Sequence, residues 1–228
     1  MRCLILAGGF GVRLYPLTLN RAKPLLEYKG KPVIEHIVDK VPDDINIMVN
    51  TNKKFEADFR QWQQGLSREV KILVEEVLSQ DQKLGAVGSL NFWIENERVS
   101  EDLLVIAGDN YFEFDLARFI ASYDGNNTLV AVHDIGDKDK ARQFGTVRLD
   151  EDRVAEFEEK PARPKSSLVA TACYIFPPRI FPLLRQYCHQ GKIDNLGSFI
   201  AHLVDRDQVY AYPFSESWLD IGSGEDLA

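Results

Sequence analysis

Short, mostly apolar runs alternate with amphipathic helical patterns along the first 135 positions, and that alternation leaves few folds open. Residues 2–7 form one such run, stopped by Gly8–Gly9. Pro32 opens a helical stretch with Val33, Ile34, Ile37, Val38 and Val41 on one face, proline being suited to a first helical turn. Further runs at 45–50, 70–75, 103–107 and 128–133 read as strands. Patterns at 53–64, 84–97 and about 115–123 read as the helices between them. Apolar runs joined by helices predict an α/β fold with a mostly parallel central sheet, covered by helices on both faces. The second half changes character. Strands are expected at 145–149, 154–158 and 168–176 with polar loops at 136–140 and 161–167, which predicts a small antiparallel annex. Helices near 177–190 and 195–204, a strand at 208–213 and an apolar piece at 218–221 complete the chain.

The 228 residues include 27 basic and 35 acidic side chains, a net charge of −8, with 45% hydrophobic and 11% aromatic residues. Such a chain can bury a substantial core and is not of disordered type. Its acidic balance speaks against general nucleic-acid binding. No apolar run approaches the roughly 20 residues of a membrane span, and the first residues do not form a signal peptide. Cys3, Cys173 and Cys188 have no metal-like spacing and read as reduced core thiols of a cytoplasmic protein. Charge is uneven. Residues 1–31 hold six basic side chains and one acid, Glu27, which marks either a local anion site or a solvated loop.

The most informative segment runs from Leu6 to Thr18 and continues to Lys23–Pro24. A glycine-containing loop that leaves the first strand sits beyond the strand's carboxyl end, where ligands bind in open α/β sheets. Its glycines, Gly8, Gly9 and Gly11, allow backbone amides to approach an anion closely. Arg13 can hold phosphate oxygens with a planar fork, and Lys23 adds a point charge. Leu14 occupies the place of the third glycine of a dinucleotide fingerprint, and a Gly-Lys-Ser/Thr triplet is absent, so neither common phosphate loop is present. Asp109 ends an apolar run and suits either a cation ligand or a turn cap. Asp220, between Leu219 and Ile221, suits a salt bridge or a metal. Together the two carboxylates fit Mg²⁺, which takes other ligands from phosphates and water. Lys160 lies in a charge cluster with Glu158 and Glu159. Asp137–Lys138–Asp139 sits in a polar turn and reads as surface. His36, His133, His189 and His202 lack zinc-like spacing.

The Leu6–Thr18 segment with Lys23–Pro24 resembles the signature of the sugar-1-phosphate nucleotidyltransferases. Five further stretches match that family in order. Glu75–Glu76 with Leu84–Leu90 resembles its base-recognition stretch, and Gly108–Asp109–Asn110 its metal-binding strand end. Phe144–Val147 and Glu158–Pro161 resemble its sugar-phosphate segments, and Trp218–Ser223 its C-terminal metal motif. Pro164–Ser167 and Thr171–Tyr174 look most like the glucose-1-phosphate thymidylyltransferase branch. Val12 stands where the family usually has Thr, Ala172 replaces a common glycine near the sugar, and Pro24 stands where many thymidylyltransferases carry Gln near the base.

The resemblance implies one nucleotidyltransferase domain over 1–228, with a nucleotide-binding half at 1–135 and a sugar-phosphate-binding half at 136–228. It implies a reaction of a nucleoside triphosphate with a sugar 1-phosphate to give a nucleotide-sugar and pyrophosphate. Guanylyl or cytidylyl transfer to mannose, heptose or an alcohol phosphate is the alternative, as is a non-catalytic regulatory subunit. Arg13 and Lys23 would be catalytic. Leu6, Ala7, Gly8, Gly9, Gly11, Arg13, Glu75 and Gly88 would hold the nucleotide. Gly145, Glu159, Lys160 and Thr171 would hold the sugar phosphate, and Asp109 and Asp220 the Mg²⁺. A monomer or small homo-oligomer is expected, without nucleic-acid or membrane partners. Only eight residues follow Asp220, so any product inhibition is expected at the active site alone.

Overall fold

The computed structural model describes residues 1–222. Ser223, the last residue of the C-terminal motif, lies outside the described residues. The first half begins with β1 (Arg2–Leu6), a short hairpin of β2 (Glu27–Tyr28) and β3 (Lys31–Pro32), and helix α1 (Val33–Val38). Then follow β4 (Asn46–Asn52), α2 (Glu56–Gln64), β5 (Val70–Glu75), α3 (Ala86–Asn96) and β6 (Leu103–Ala107). A tight turn leads to β7 (Asn110–Phe112), then α4 (Leu116–Ala121) and β8 (Thr128–Asp134). The second half contains α5 (Lys138–Ala141), β9 (Gly145–Asp150), β10 (Arg153–Glu159) and β11 (Leu168–Phe176). It ends with α6 (Phe181–His189), α7 (Leu196–Val204), β12 (Val209–Phe214) and β13 (Trp218–Asp220).

Nine strands form one continuous sheet in the order β5-β4-β1-β6-β11-β8-β12-β10-β9. The first four strands pair in parallel, as their apolar runs and intervening helices require. β11 then enters between β6 and β8, antiparallel to both. The expected antiparallel strands are therefore stitched into the main sheet. A separate small antiparallel sheet pairs β13 with β7, Asp220 lying opposite Asn110.

β1 shows why the central strands are apolar throughout. Cys3 and Ile5 enter a core with α1, α2 and α4 residues such as Ile34, Phe59 and Phe119. Leu4 enters the opposite core with Val87, Leu90, Leu184 and Leu203 from α3, α6 and α7. Helices thus cover both faces, and each fully buried Leu or Phe contributes about 1.5–3 kcal/mol.

Three local differences from the sequence pattern have physical causes. The apolar stripe to Val41 suggests a longer first helix, but α1 stops at Val38. Pro42 disfavours helical geometry just before it, and the Arg68 guanidinium donates to the carbonyls of Val38, Val41, Pro42 and Ile45 at 2.5–3.3 Å. The polar loop at 136–140 contains the single turn α5, because the Asp137 carboxylate accepts from the amides of Asp139 and Lys140. That cap also accounts for the Asp137–Lys138–Asp139 triplet as surface structure. Finally, β4 continues past its apolar part through Asn50, Thr51 and Asn52, all buried.

Candidate active site

A cavity of about 460 Å³ opens at the carboxyl ends of β1 and β6. Its first wall is the loop after β1. Gly8 packs so closely that a Cβ there would lie 2.9 Å from Asn50 Nδ2 and 3.3 Å from Glu75 Oε2. Behind it runs a buried polar chain. The Ala7 amide donates to Asn50 Oδ1 at 2.8 Å, and Asn50 Nδ2 donates to Glu75 Oε1 at 2.6 Å. Trp93 Nε1 donates to the same Glu75 oxygen at 3.2 Å. Asn52 Nδ2 donates to the Gly8 carbonyl at 3.0 Å. Gly11 adopts φ 63°, and the Thr18 hydroxyl donates to its carbonyl at 2.7 Å. The loop is therefore pre-shaped from beneath, and it carries Arg13 on the turn Val12–Leu14 at the rim of the cavity.

Lys23 starts a second turn, Lys23–Leu25, with Pro24 in its first positions. Its ammonium lies 2.6 Å from Asp109 Oδ2 and 3.7 Å from Asp220 Oδ1. The register of the small sheet explains this meeting across 111 positions, because Asp220 pairs with Asn110, the neighbour of Asp109. Burial and the negative charge of Asp109 push the Asp220 carboxyl up to about 6, against the pull of Lys23, Arg13 and Lys160. Two facing carboxylates match a divalent ion that needs oxygen ligands. No cluster of three or more His, Cys, Asp or Glu suited to a metal occurs among the described residues. A cation here would take its remaining oxygens from water and phosphate.

The opposite wall comes from β9, β10 and β11. Gly145 leaves room where a Cβ would sit 2.7 Å from a ring atom of Phe157 and 3.0 Å from Glu159 Oε2. Gly197, in the first turn of α7, gives way to the same carboxylate: a Cβ there would lie 2.7 Å from Glu159 Cδ. Burial raises the Glu159 pKa, and Lys160 pulls it back. Lys160 takes φ 46° and Ala172 φ 53°, left-handed conformations that favour glycine. Ala172 lies within the register shift of β11 between Ala170 and Tyr174, which turns it toward the cavity. A glycine at position 172 would adopt this conformation without steric cost.

Leu6, Ala7, Gly8, Gly9, Gly11, Arg13, Lys23, Glu75, Asp109, Gly145, Glu159, Lys160 and Asp220 all line this one cavity. Two expected site residues do not. Thr171 is buried and donates its hydroxyl to the Ala131 carbonyl at 3.1 Å. Gly88 packs against the strap before α7, a Cβ there lying 3.4 Å from Ile193 Cβ. The carbonyls of Ile193 and Asp194 accept from the amides of Ala86, Val87 and Gly88 at 2.8–3.2 Å. Gly85 and Ser89, from the same stretch, do reach the cavity. Asn50, Asn52 and Gly197 escaped sequence reasoning. Buried asparagines that prolong an apolar strand were the only available signal, and Gly197 acts through a residue 38 positions away.

With both walls and the carboxylate pair in one cavity, the comparisons with known proteins are decisive. The model of the nucleotidyl transferase family matches residues 2–228. This chain belongs to that family. A Methanocaldococcus jannaschii relative named bifunctional protein GlmU is 32% identical over 233 residues, covering 100% of this chain and 52% of the relative. A Sulfolobus acidocaldarius relative, named provisionally as a mannose-1-phosphate guanyltransferase, is 28% identical, covering 98% of this chain and 60% of the relative. The chain thus spans about half the length of the curated relatives it matches. A Bacillus anthracis crystal structure, described provisionally as a glucose-1-phosphate thymidylyltransferase in complex with a sucrose, superposes with TM-score 0.88. It is 26% identical, with 100% of this chain and 92% of that chain covered. Fold and family of the nucleotidyl transferase agree with the architecture expected from its sequence.

Proposed function

We propose that this nucleotidyl transferase joins a sugar 1-phosphate to a nucleoside triphosphate, giving a nucleotide-sugar and pyrophosphate. The observation that carries this is the Lys23 ammonium set against the facing Asp109 and Asp220 carboxylates. They lie between an anion-suited loop and a wall bearing Glu159 and Lys160. The attacking sugar-phosphate oxygen is already anionic, so no general base is needed. The chain's task is to hold two mutually repelling polyanions in line and to stabilise charge on the transferring phosphoryl group.

The loop amides of residues 8–11 face the triphosphate, and Arg13 grips the departing pyrophosphate. Lys23 leaves its carboxylate partners to bridge the α-phosphate and the sugar phosphate. Lys160 neutralises the sugar phosphate, and Glu159 accepts hydrogen bonds from sugar hydroxyls. Asp109 and Asp220 would hold Mg²⁺, which when bound supplies positive charge that aligns the phosphates. The three free thiols suit a reducing compartment, the cytoplasm, and no helix among the described residues is long and apolar enough to cross a membrane.

The Pro164–Ser167 and Thr171–Tyr174 stretches favour thymidylyl or uridylyl transfer to a hexose 1-phosphate, in line with the name of the Bacillus anthracis neighbour. The guanyltransferase name of the Sulfolobus acidocaldarius relative supports guanylyl transfer as the second reading. Pyrophosphate release over a matrix of sugar phosphates and triphosphates decides between them. Turnover with dTTP or UTP well above GTP is expected. A GTP or CTP preference moves the enzyme to another branch, and inactivity throughout favours a regulatory subunit.

A further inference from the structure

The ribbon of β7 and β13 that carries the two carboxylates is hydrogen-bonded internally. Asp220 pairs with Asn110, the Ile221 amide donates to the Asp109 carbonyl at 3.1 Å, and the Glu113 amide donates to the Ser217 carbonyl at 2.8 Å. It forms its own sheet, separate from the nine-stranded sheet whose β10 ends at Glu159 and leads into Lys160. Backbone pairing therefore sets Asp109 against Asp220, and the Gly108 amide, donating to the Leu6 carbonyl at 2.8 Å, ties the ribbon to β1, but strand pairing does not set the ribbon against Lys160. Trp218 spans that gap. Its Nε1 donates to Asn110 Oδ1 at 2.8 Å, which fixes the indole on the ribbon. Its ring meets Phe144 edge-on, with centroids 5.2 Å apart, and lies 6.1 Å from the His133 ring. The Phe144 carbonyl in turn accepts from the Lys160 amide at 3.0 Å. That bond holds Lys160 at φ 46°, a conformation that persists only where its surroundings enforce it.

We propose that Trp218 is a positioning residue, which sets the distance between the Asp109–Asp220 carboxylates and the Lys160 ammonium. The inference rests on the nucleotidyltransferase reading above and deepens it. The nucleotide with its metal sits on the ribbon side, and the sugar phosphate sits on the Lys160 side. Trp218 holds the two sides at reacting distance. Its contribution is then to kcat rather than to the affinity of either side. Misplacement of reacting groups by about 1 Å can lower a rate by about a hundredfold.

The experiment compares wild type with Trp218→Phe, which keeps a smaller aromatic ring and loses the N–H, and with Trp218→Leu, which loses both. Turnover is followed by pyrophosphate release. Mn²⁺ binding is followed by electron paramagnetic resonance, with the α,β-methylene analogue of the triphosphate that the wild type prefers. For Trp218→Leu, kcat is expected to fall roughly 30–100-fold, with Mn²⁺ affinity within about twofold of wild type. Trp218→Phe should fall between. Lys160→Ala should raise the sugar-phosphate KM by the same factor, within about twofold, in the Trp218→Leu background as in wild type, because Trp218 sets alignment and not affinity. Unchanged kcat in Trp218→Leu overturns the inference. So does Mn²⁺ affinity that falls in step with kcat, which would make Trp218 a support of the ribbon itself, or a sugar-phosphate KM that rises in step with the loss of kcat. A wild type that releases no pyrophosphate overturns the underlying reading, and the inference with it.

Discussion

Gly197→Ala isolates the sugar side of the site with one methyl group. Gly197 lies in the first turn of α7, where alanine is favoured over glycine by about 1 kcal/mol in helix propensity. Against that, the new Cβ would stand 2.7 Å from Glu159 Cδ and closer still to its carboxylate oxygen. The displaced group is the far end of a flexible side chain beside an open cavity, so the backbone need not move. Overpacking of about 1 kcal/mol, the low end of the usual range, then offsets the helical gain. Melting temperature should change little. The Glu159 carboxylate, however, must leave the position from which it would meet sugar hydroxyls. A hydrogen bond to a charged acceptor contributes about 1.5–3 kcal/mol, so losing one raises the sugar-phosphate KM roughly 10- to 150-fold. Steady-state kinetics with each substrate varied in turn, together with a thermal melt, measure both quantities. The triphosphate KM should stay within about twofold. An unchanged sugar-phosphate KM in a folded Gly197→Ala protein would refute the placement of Glu159 against the sugar.

Other perturbations separate the remaining roles. Lys23→Ala should lower kcat by about a hundredfold or more, whereas Lys160→Ala should mainly raise the sugar-phosphate KM; reversed effects in steady-state kinetics would exchange their assignments. Asp109→Asn and Asp220→Asn should each abolish most activity, and the double variant should be little worse than either, since both act on one ion; additive losses would disprove sharing. Because the Asp220 carboxyl titrates near 6, the Mg²⁺ concentration for half-maximal rate should rise as pH falls through about 6, and a midpoint flat from pH 8 to 5 would contradict this. Glu159→Gln should stabilise the fold while weakening sugar-phosphate binding. Burial holds the Glu159 pKa above its ordinary value of 4.5, so its ionisation disfavours the folded state. The variant's advantage in melting temperature should be absent below pH 4.5, grow as pH rises through the folded pKa, and then level off.

The residues show how far the chain's pattern reached. β5, β6 and β11 occupy the spans 70–75, 103–107 and 168–176 expected from their mostly apolar runs, and β6, apolar at every position, shows the cause most plainly: burial on both faces leaves no polar position to blur its ends. The first-strand loop, Lys23 and the two aspartates were legible as chemistry, since charges beside apolar runs need a reason to be there. What stayed hidden is relational. β7 has three residues and takes its meaning from pairing with β13. The Ile193–Asp194 carbonyls that occupy the start of α3, and the space Gly197 leaves for Glu159, are contacts between distant segments. Gly88 illustrates the converse: a glycine in a ligand-like stretch whose amide is taken by the Ile193 carbonyl of a distant segment.

One topological detail has a mechanical consequence. Under the proposed function the loop that faces the triphosphate leaves β1, the wall that faces the sugar phosphate rises from β11, and β6 hydrogen-bonds to both along its length. Strand spacing of about 4.8 Å separates the two walls by about 10 Å at their roots, a width set by backbone bonds in a shared plate. The site works as a fixed gauge, unlike a cleft between jaws that swing on a hinge. A bulkier sugar cannot be admitted by opening the walls. It requires smaller side chains at lining positions such as Phe144, Ala172 or Tyr174, so changes of substrate in this fold should be written in single residues rather than in domain angles.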